Sequence, residues 1–161
     1  MTLILSKKYN PLFDSKARYF IITGGRGSGK SFAVTVFLTL LTMSRGIRVL
    51  FTRFTMTSAH LSIIPETFNI NKAEVVNAKN KSDILFRGIR TSAGNQTASL
   101  KSLQGISTWV LDEAEELVDE NIFDTIDLSI REKKVQNRVI LILNPTTKEH
   151  WIYKRFFEEK G

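Results

Sequence analysis

Residues 24 to 31 read Gly24-Gly25-Arg26-Gly27-Ser28-Gly29-Lys30-Ser31. This match to G-x-x-x-x-G-K-[ST], the Walker A pattern, constrains the fold more than any other feature of the chain. Such a loop works only in one setting. It must leave a strand and open a helix, so that its backbone N–H groups converge on phosphate oxygens and the helix N-terminus adds a favourable dipole. Both flanks are present. Tyr19 to Thr23 is a short β-rich run, and Ser31 to Ser44 is apolar nearly all round except for a stripe at Thr35, Thr39 and Thr42, which predicts a mostly buried helix. In that setting Lys30 reaches the β and γ phosphates of a nucleotide, and the Ser31 hydroxyl takes one position on Mg2+. The other glycine-rich signature, G-x-G-x-x-G of the dinucleotide folds, is satisfied in no register of these glycines.

Further strands are expected at Ile47 to Thr52, Trp109 to Leu111 and Val139 to Leu143. The last is apolar at every position rather than alternating, as suits a parallel strand covered on both faces. Glu115 to Glu132 predicts a second helix, with Val118, Ile122, Ile126 and Ile130 on one face and a solvated acidic face opposite, to which no catalytic role is assigned. Between Asn71 and Ser107, the runs Ala73 to Ala78, Ser82 to Phe86 and Ile89 to Ser92 alternate with Asn, Lys and Gly turns and predict a small antiparallel insertion. The strand-helix alternation gives a three-layer α/β domain with a central, mostly parallel sheet. With the Walker A loop this predicts the fold of a P-loop NTPase of the RecA-like (ASCE) kind, expected as a single domain over residues 1–161.

Composition narrows the function. Cysteine is absent, which removes disulfide scaffolds, thiolate zinc sites and cysteine nucleophiles. The longest apolar stretch, Phe32 to Met43, is interrupted by three threonines and falls short of the roughly 20 residues of a membrane helix, so no membrane partner is expected. The net charge of +7 is uneven: residues 1–80 hold 11 Lys and Arg against 3 Asp and Glu, whereas residues 81–161 hold 12 against 13. A basic half attracts polyanions. Arg45, Arg48, Lys72, Lys79, Lys81, Arg87 and Arg90 are candidates for tracking a nucleic-acid backbone, or equally an ordinary solvated face.

Trp109-Val110-Leu111-Asp112-Glu113 is an apolar strand ending in two carboxylates, the Walker B form. Asp112 is expected to hold the Mg2+ shell and Glu113 to orient and deprotonate the attacking water. Strand Val139 to Leu143 ends in Asn144-Pro145-Thr146. Strand C-termini of a parallel sheet face the ligand crevice, so the Asn144 amide is placed to sense a γ-phosphate, the alternative being a plain Asn-Pro turn.

The order GGRGSGKS, then Leu103-Gln104-Gly105-Ile106 leading into TWVLDEAEEL, then LILNPTTKEHWIYKRFF, resembles the ATPase domain of the large terminase subunit of tailed bacteriophages and prophages, from about Tyr9 to Phe157. Asn144-Pro145 followed by His150-Trp151 and a basic aromatic tail is the more particular part of the likeness. The resemblance implies an ATP-driven motor that threads double-stranded DNA into a procapsid in the host cytoplasm. Its implied partners are the portal protein and the small terminase subunit, with a homo-oligomeric ring on assembly and a monomer for the isolated domain. It further implies that Arg26 contacts the γ-phosphate in cis, that Asn144 lies in the coupling motif, and that Tyr9 to Phe13 borders the adenine. Lys101, 11 residues before Asp112, stands where relatives place a basic residue that reaches a neighbouring subunit's nucleotide. The C-terminal nuclease domain of such subunits is not expected in this chain. Two other classes stay open: a nucleotide-regulated binding or assembly module with weak turnover, and a P-loop kinase. Glu113 argues against the kinase, because a group that activates water wastes ATP in an enzyme that must deliver phosphate elsewhere.

Overall fold

The computed structural model describes residues 4–44, 46–53, 68–71, 73–91, 94–95, 100 and 103–158. Helix α1 (Asn10–Asp14) follows a short 3-10 turn, strand β1 (Tyr19–Thr23) leads into the Walker A loop, and helix α2 (Lys30–Ser44) leaves it. Then come β2 (Arg48–Arg53), β3 (Phe68–Ile70), β4 (Glu74–Asn77), β5 (Asp83–Gly88) and the small pair β6 (Arg90–Thr91) and β7 (Gly94–Asn95). Strand β8 (Ile106–Asp112), helix α3 (Glu120–Asp127), strand β9 (Arg138–Leu143) and the short helix α4 (Trp151–Tyr153), which runs on as a π-helical turn (Lys154–Glu158), complete the order.

Seven strands form one sheet in the order β1-β9-β8-β2-β5-β4-β3. The five from β1 to β5 in that order pair in parallel, and β4 and β3 add an antiparallel edge. Strand β9 therefore lies between the Walker A strand β1 and the Walker B strand β8. Along β9 the side chains divide cleanly. Ile140 and Ile142 join the core beneath α1 and α2 with Phe20, Val34, Phe37 and Val110, whereas Val139, Leu141 and Leu143 join the opposite core with Trp109, Phe123, Ile126 and Trp151. A strand apolar at every position is what two such cores demand.

Two expectations are corrected. The Ser82 to Phe86 run is not part of a separate insertion, because β5 pairs in parallel with β2 and belongs to the central sheet; only β3 and β4 are antiparallel additions to it. The predicted helix from Glu115 to Glu132 is broken. A 3-10 turn spans Ala114–Glu116, Asp119 caps a new helix by accepting from the Asn121 backbone N–H, and that helix stops at Asp127. Val118, expected on the apolar face, sits in the connection and is 75% exposed. The helix expected over Ser31 to Ser44 is present as α2 and is mostly buried. Thr39 and Thr42 are buried because each hydroxyl donates to a carbonyl one turn back, Thr39 to Thr35 and Thr42 to Leu38, while Phe32, Leu40 and Met43 lie exposed.

Candidate nucleotide site

The site lies at the carboxyl ends of β1, β2, β8 and β9. There the loop from Arg26 to Ser31 faces Arg53, Asp112, Glu113, Glu115 and Asn144 across a cleft of about 290 Å³. The loop's shape follows from its glycines. Gly29 holds φ +77°, a conformation that side chains disfavour, and a Cβ on Gly24 would lie 2.9 Å from Ser28 Oγ. Tyr9 ties the amino-terminal turn to the loop by donating its hydroxyl to the Ser28 carbonyl at 3.1 Å.

Lys30 is only 9% exposed, and its ammonium points back into the loop. It donates to the Gly24 carbonyl at 2.6 Å, the Gly25 carbonyl at 2.9 Å, Ser28 Oγ at 3.2 Å and Asn144 Oδ1 at 3.4 Å. Ser31 lines the cleft from the first turn of α2, and Arg26 lines it from the loop with an exposed side chain.

Asp112 ends β8 with 3% exposure and both carboxylate oxygens engaged. Oδ1 accepts from the Glu113 backbone N–H at 3.0 Å, and Oδ2 accepts from Arg53 Nε at 2.8 Å and pairs with its outer nitrogen at 2.7 Å. Arg53 is a residue that motif reading missed. It stands in register with Asp112 across the parallel β2/β8 pair, so the contact is a product of strand order. Glu113 follows with φ +51° and ψ +47°, a left-handed backbone rare for a side chain of this size, and its exposed carboxyl reaches the cleft.

Asn144 bridges the two sides. Its Oδ1 faces Lys30, and its Nδ2 donates to Glu115 Oε1 at 2.9 Å. The sequence pattern puts Glu115 on a solvated helix face. The 3-10 turn folds it into the cleft instead, where its Oε2 is buried with no hydrogen-bond partner. Lys101 lies outside the described residues, and among the candidate DNA contacts so do Arg45, Lys72 and the Arg90 side chain. Arg48 and Arg87 are engaged within the fold: Arg48 pairs with Asp83, and Arg87 donates to the carbonyls of Ala73 and Phe86.

The donor set fits a magnesium nucleotide. The Lys30 ammonium suits phosphate oxygens, and the Ser31 hydroxyl and the Asp112 carboxylate, on the same cleft, are the hard oxygen donors that Mg2+ takes. The sequence profile of the phage terminase large subunit family matches residues 16–161. The chain belongs to that family. Solved relatives share the fold. The large terminase of a thermophilic bacteriophage superimposes with a TM-score of 0.71 at 11% identity over 98% of this chain and 43% of that one. The N-terminal domain of the DNA packaging ATPase of bacteriophage phi29 does so with 0.68 at 18% identity, over 95% of this chain and 87% of that one. The match to the Phi-29 viral genome packaging motor assembly has a TM-score of 0.66 at 18% identity over 98% of this chain and 51% of that chain. This terminase chain thus spans about half or less of the thermophilic-phage and motor-assembly chains. No curated protein sequence matches it. Among the described residues, no helix is long and apolar enough to cross a membrane.

Proposed function

We propose that this chain is the ATP-hydrolysing module of a DNA-packaging motor. The observation that carries the reading is the convergence of the Walker A loop, Asp112 and Glu113 on one cleft. The loop N–H groups of Gly24 to Gly29 and the Lys30 ammonium would take the β and γ phosphates, and Ser31 and Asp112 would hold Mg2+. Bound there, Mg2+ supplies positive charge across the phosphate oxygens. Glu113 accepts a proton from the water whose oxygen bonds to the γ-phosphorus as the bond to the β–γ bridging oxygen breaks. Arg26 offers a guanidinium from the cleft's rim, where it meets the charge that spreads over the γ-phosphoryl oxygens. Asn144, already on Lys30, reports on the γ-phosphate.

Double-stranded DNA is the proposed track, with a portal protein, a small terminase subunit and further copies of this chain in a ring as partners, in the host cytoplasm during virus assembly. Lys101 is proposed to act on a neighbour's nucleotide, with the isolated module a slow monomeric ATPase. ATP turnover per chain that rises with protein concentration, and no longer does so in Lys101→Ala, is the expected sign.

The deciding assay measures ATP hydrolysis with and without double-stranded DNA. Turnover without a small acceptor is expected from the parent, with loss of nucleotide binding in Lys30→Ala, which deletes a charge-assisted contact. Binding without any turnover would instead favour a nucleotide-regulated assembly module. Phosphate transfer that requires a small acceptor would favour a kinase.

A further inference from the structure

Three contacts join the turn after β8 to the segment after β9. Glu115 Oε1 accepts from Asn144 Nδ2 at 2.9 Å, the Glu115 carbonyl meets His150 Nε2 at 3.1 Å, and the Leu117 carbonyl accepts from Trp151 Nε1 at 2.6 Å. The last two involve backbone acceptors and hold the segments together whatever occupies the cleft. The first differs, because it is made by a side chain whose second oxygen is buried without a partner and whose target also touches Lys30.

An asparagine amide presents an acceptor at one corner and a donor at the other. A carboxylate accepts only, so Glu115 admits Nδ2 and excludes Oδ1; an ammonium donates only, so Lys30 admits Oδ1 and excludes Nδ2. Both neighbours impose the same orientation. Phosphate oxygens compete for the Lys30 ammonium, however, and its bond to Asn144 is the longest of its four at 3.4 Å. Glu115 alone then keeps the amide aligned. We propose that Glu115 is a positioning residue: its carboxylate clamps the Asn144 amide so that a change at Lys30 is passed to the turn Ala114–Glu116 and hence to Glu113 beside it. The two discrete states such coupling requires are Lys30 on the loop carbonyls and Lys30 on phosphate. The orphan Oε2 fits this role, since it leaves Oε1 and its bond to Asn144 as the hold that this carboxylate has among the described residues.

The inference rests on reading the cleft as an ATP site, and the test separates the two. Glu115→Ala, Glu115→Gln, Asn144→Ala and the double variant Glu115→Ala/Asn144→Ala are compared with the parent for ATP kcat and KM. Hydrogen exchange is measured with and without Mg2+ and AMP-PNP in peptides covering residues 113–117 and 144–151. Glu115→Ala is expected to lower kcat about tenfold with KM within about twofold, and Glu115→Gln, which keeps a neutral acceptor for Nδ2, to stay within about threefold of the parent. The double variant should be no slower than Asn144→Ala alone, since both deletions remove the same contact. In the parent, AMP-PNP should change protection in both peptides; in Glu115→Ala the change in 113–117 should vanish while that in 144–151 persists. Additive losses in the double variant, a Gln variant as slow as the Ala variant, an effect on KM alone, or an unaltered exchange response would each overturn the clamp while leaving the ATP reading intact. A parent that neither binds AMP-PNP nor hydrolyses ATP overturns both.

Discussion

At the amino ends of the parallel strands, ionic groups are consumed by the fold. Arg18, just before β1, pairs with Asp127 at 2.7 Å, donates to the carbonyls of Asp127 and Ile130, and shares the carboxylate with the Tyr19 hydroxyl. Arg48 at the start of β2 pairs with Asp83 at the start of β5. At the carboxyl ends Arg53 and Asp112 pair in the same way, but other ionic groups are left with something still to bind. Arg26 and Glu113 are exposed, Glu113 holds a left-handed backbone, and Glu115 keeps a buried oxygen without a partner. One end closes the scaffold, and the other stores strain and unused hydrogen-bonding capacity where a ligand enters.

Substitutions at the two ends should accordingly separate chemistry from stability. The largest expected effect is Glu113→Gln, which should lower ATP turnover about 10²- to 10⁴-fold while Tm stays within about 2 °C. Glu113→Gly should lose turnover equally yet gain about 1 kcal/mol of stability, because glycine relieves the left-handed conformation. A Glu113 variant that unfolded the domain would break the contrast. Next comes Asp127→Ala at the opposite end: loss of a buried partner for Arg18 should remove about 2–3 kcal/mol and lower Tm by about 5–10 °C, with AMP-PNP affinity within about twofold. Calorimetry and equilibrium binding on one preparation check both halves. Arg53→Met sharpens the comparison, since it strands the buried Asp112 carboxylate at the site end. It should destabilise the chain by about 2 kcal/mol without ligand, and Mg2+ with AMP-PNP should raise its Tm more than the parent's, because positive charge is resupplied beside Asp112. The smallest effect is expected from Arg26→Ala, with turnover down about tenfold, roughly 1.4 kcal/mol, and unchanged Tm. Turnover within twofold of the parent would exclude Arg26 from the chemistry.

Where local sequence rules decide, the chain is legible. Tyr19 to Thr23 and the Walker A loop occupy their expected places, and Val139 to Leu143 is doubly covered because an uninterrupted apolar run leaves no solvent face. Legibility fails where the answer depends on which strands become neighbours. Arg53 carries no motif, and only the β2/β8 register brings it to Asp112. The placement of β5 in the main sheet is invisible for the same reason. Glu115 is hidden by a different effect. A single helical period runs on across Val118 and Asp119, although Asp is a favoured N-cap residue and Asp119, accepting from the Asn121 backbone N–H, makes a fresh start at Glu120. Helix α2 is buried as its composition predicts, and its threonines do not oppose this because their hydroxyls bond inside the helix and can be buried like apolar groups.

The Lys30 ammonium, seated on the carbonyls of Gly24 and Gly25, has a kinetic consequence. On the proposed reading of the cleft, a polyphosphate arriving at the rim would meet the exposed Arg26 first, and the interior cation would become available only after it leaves two carbonyls. Association is then an encounter followed by a unimolecular exchange of lysine partners. In rapid-mixing experiments the observed rate should climb with nucleotide concentration and bend to a plateau set by the speed at which the ammonium turns outward.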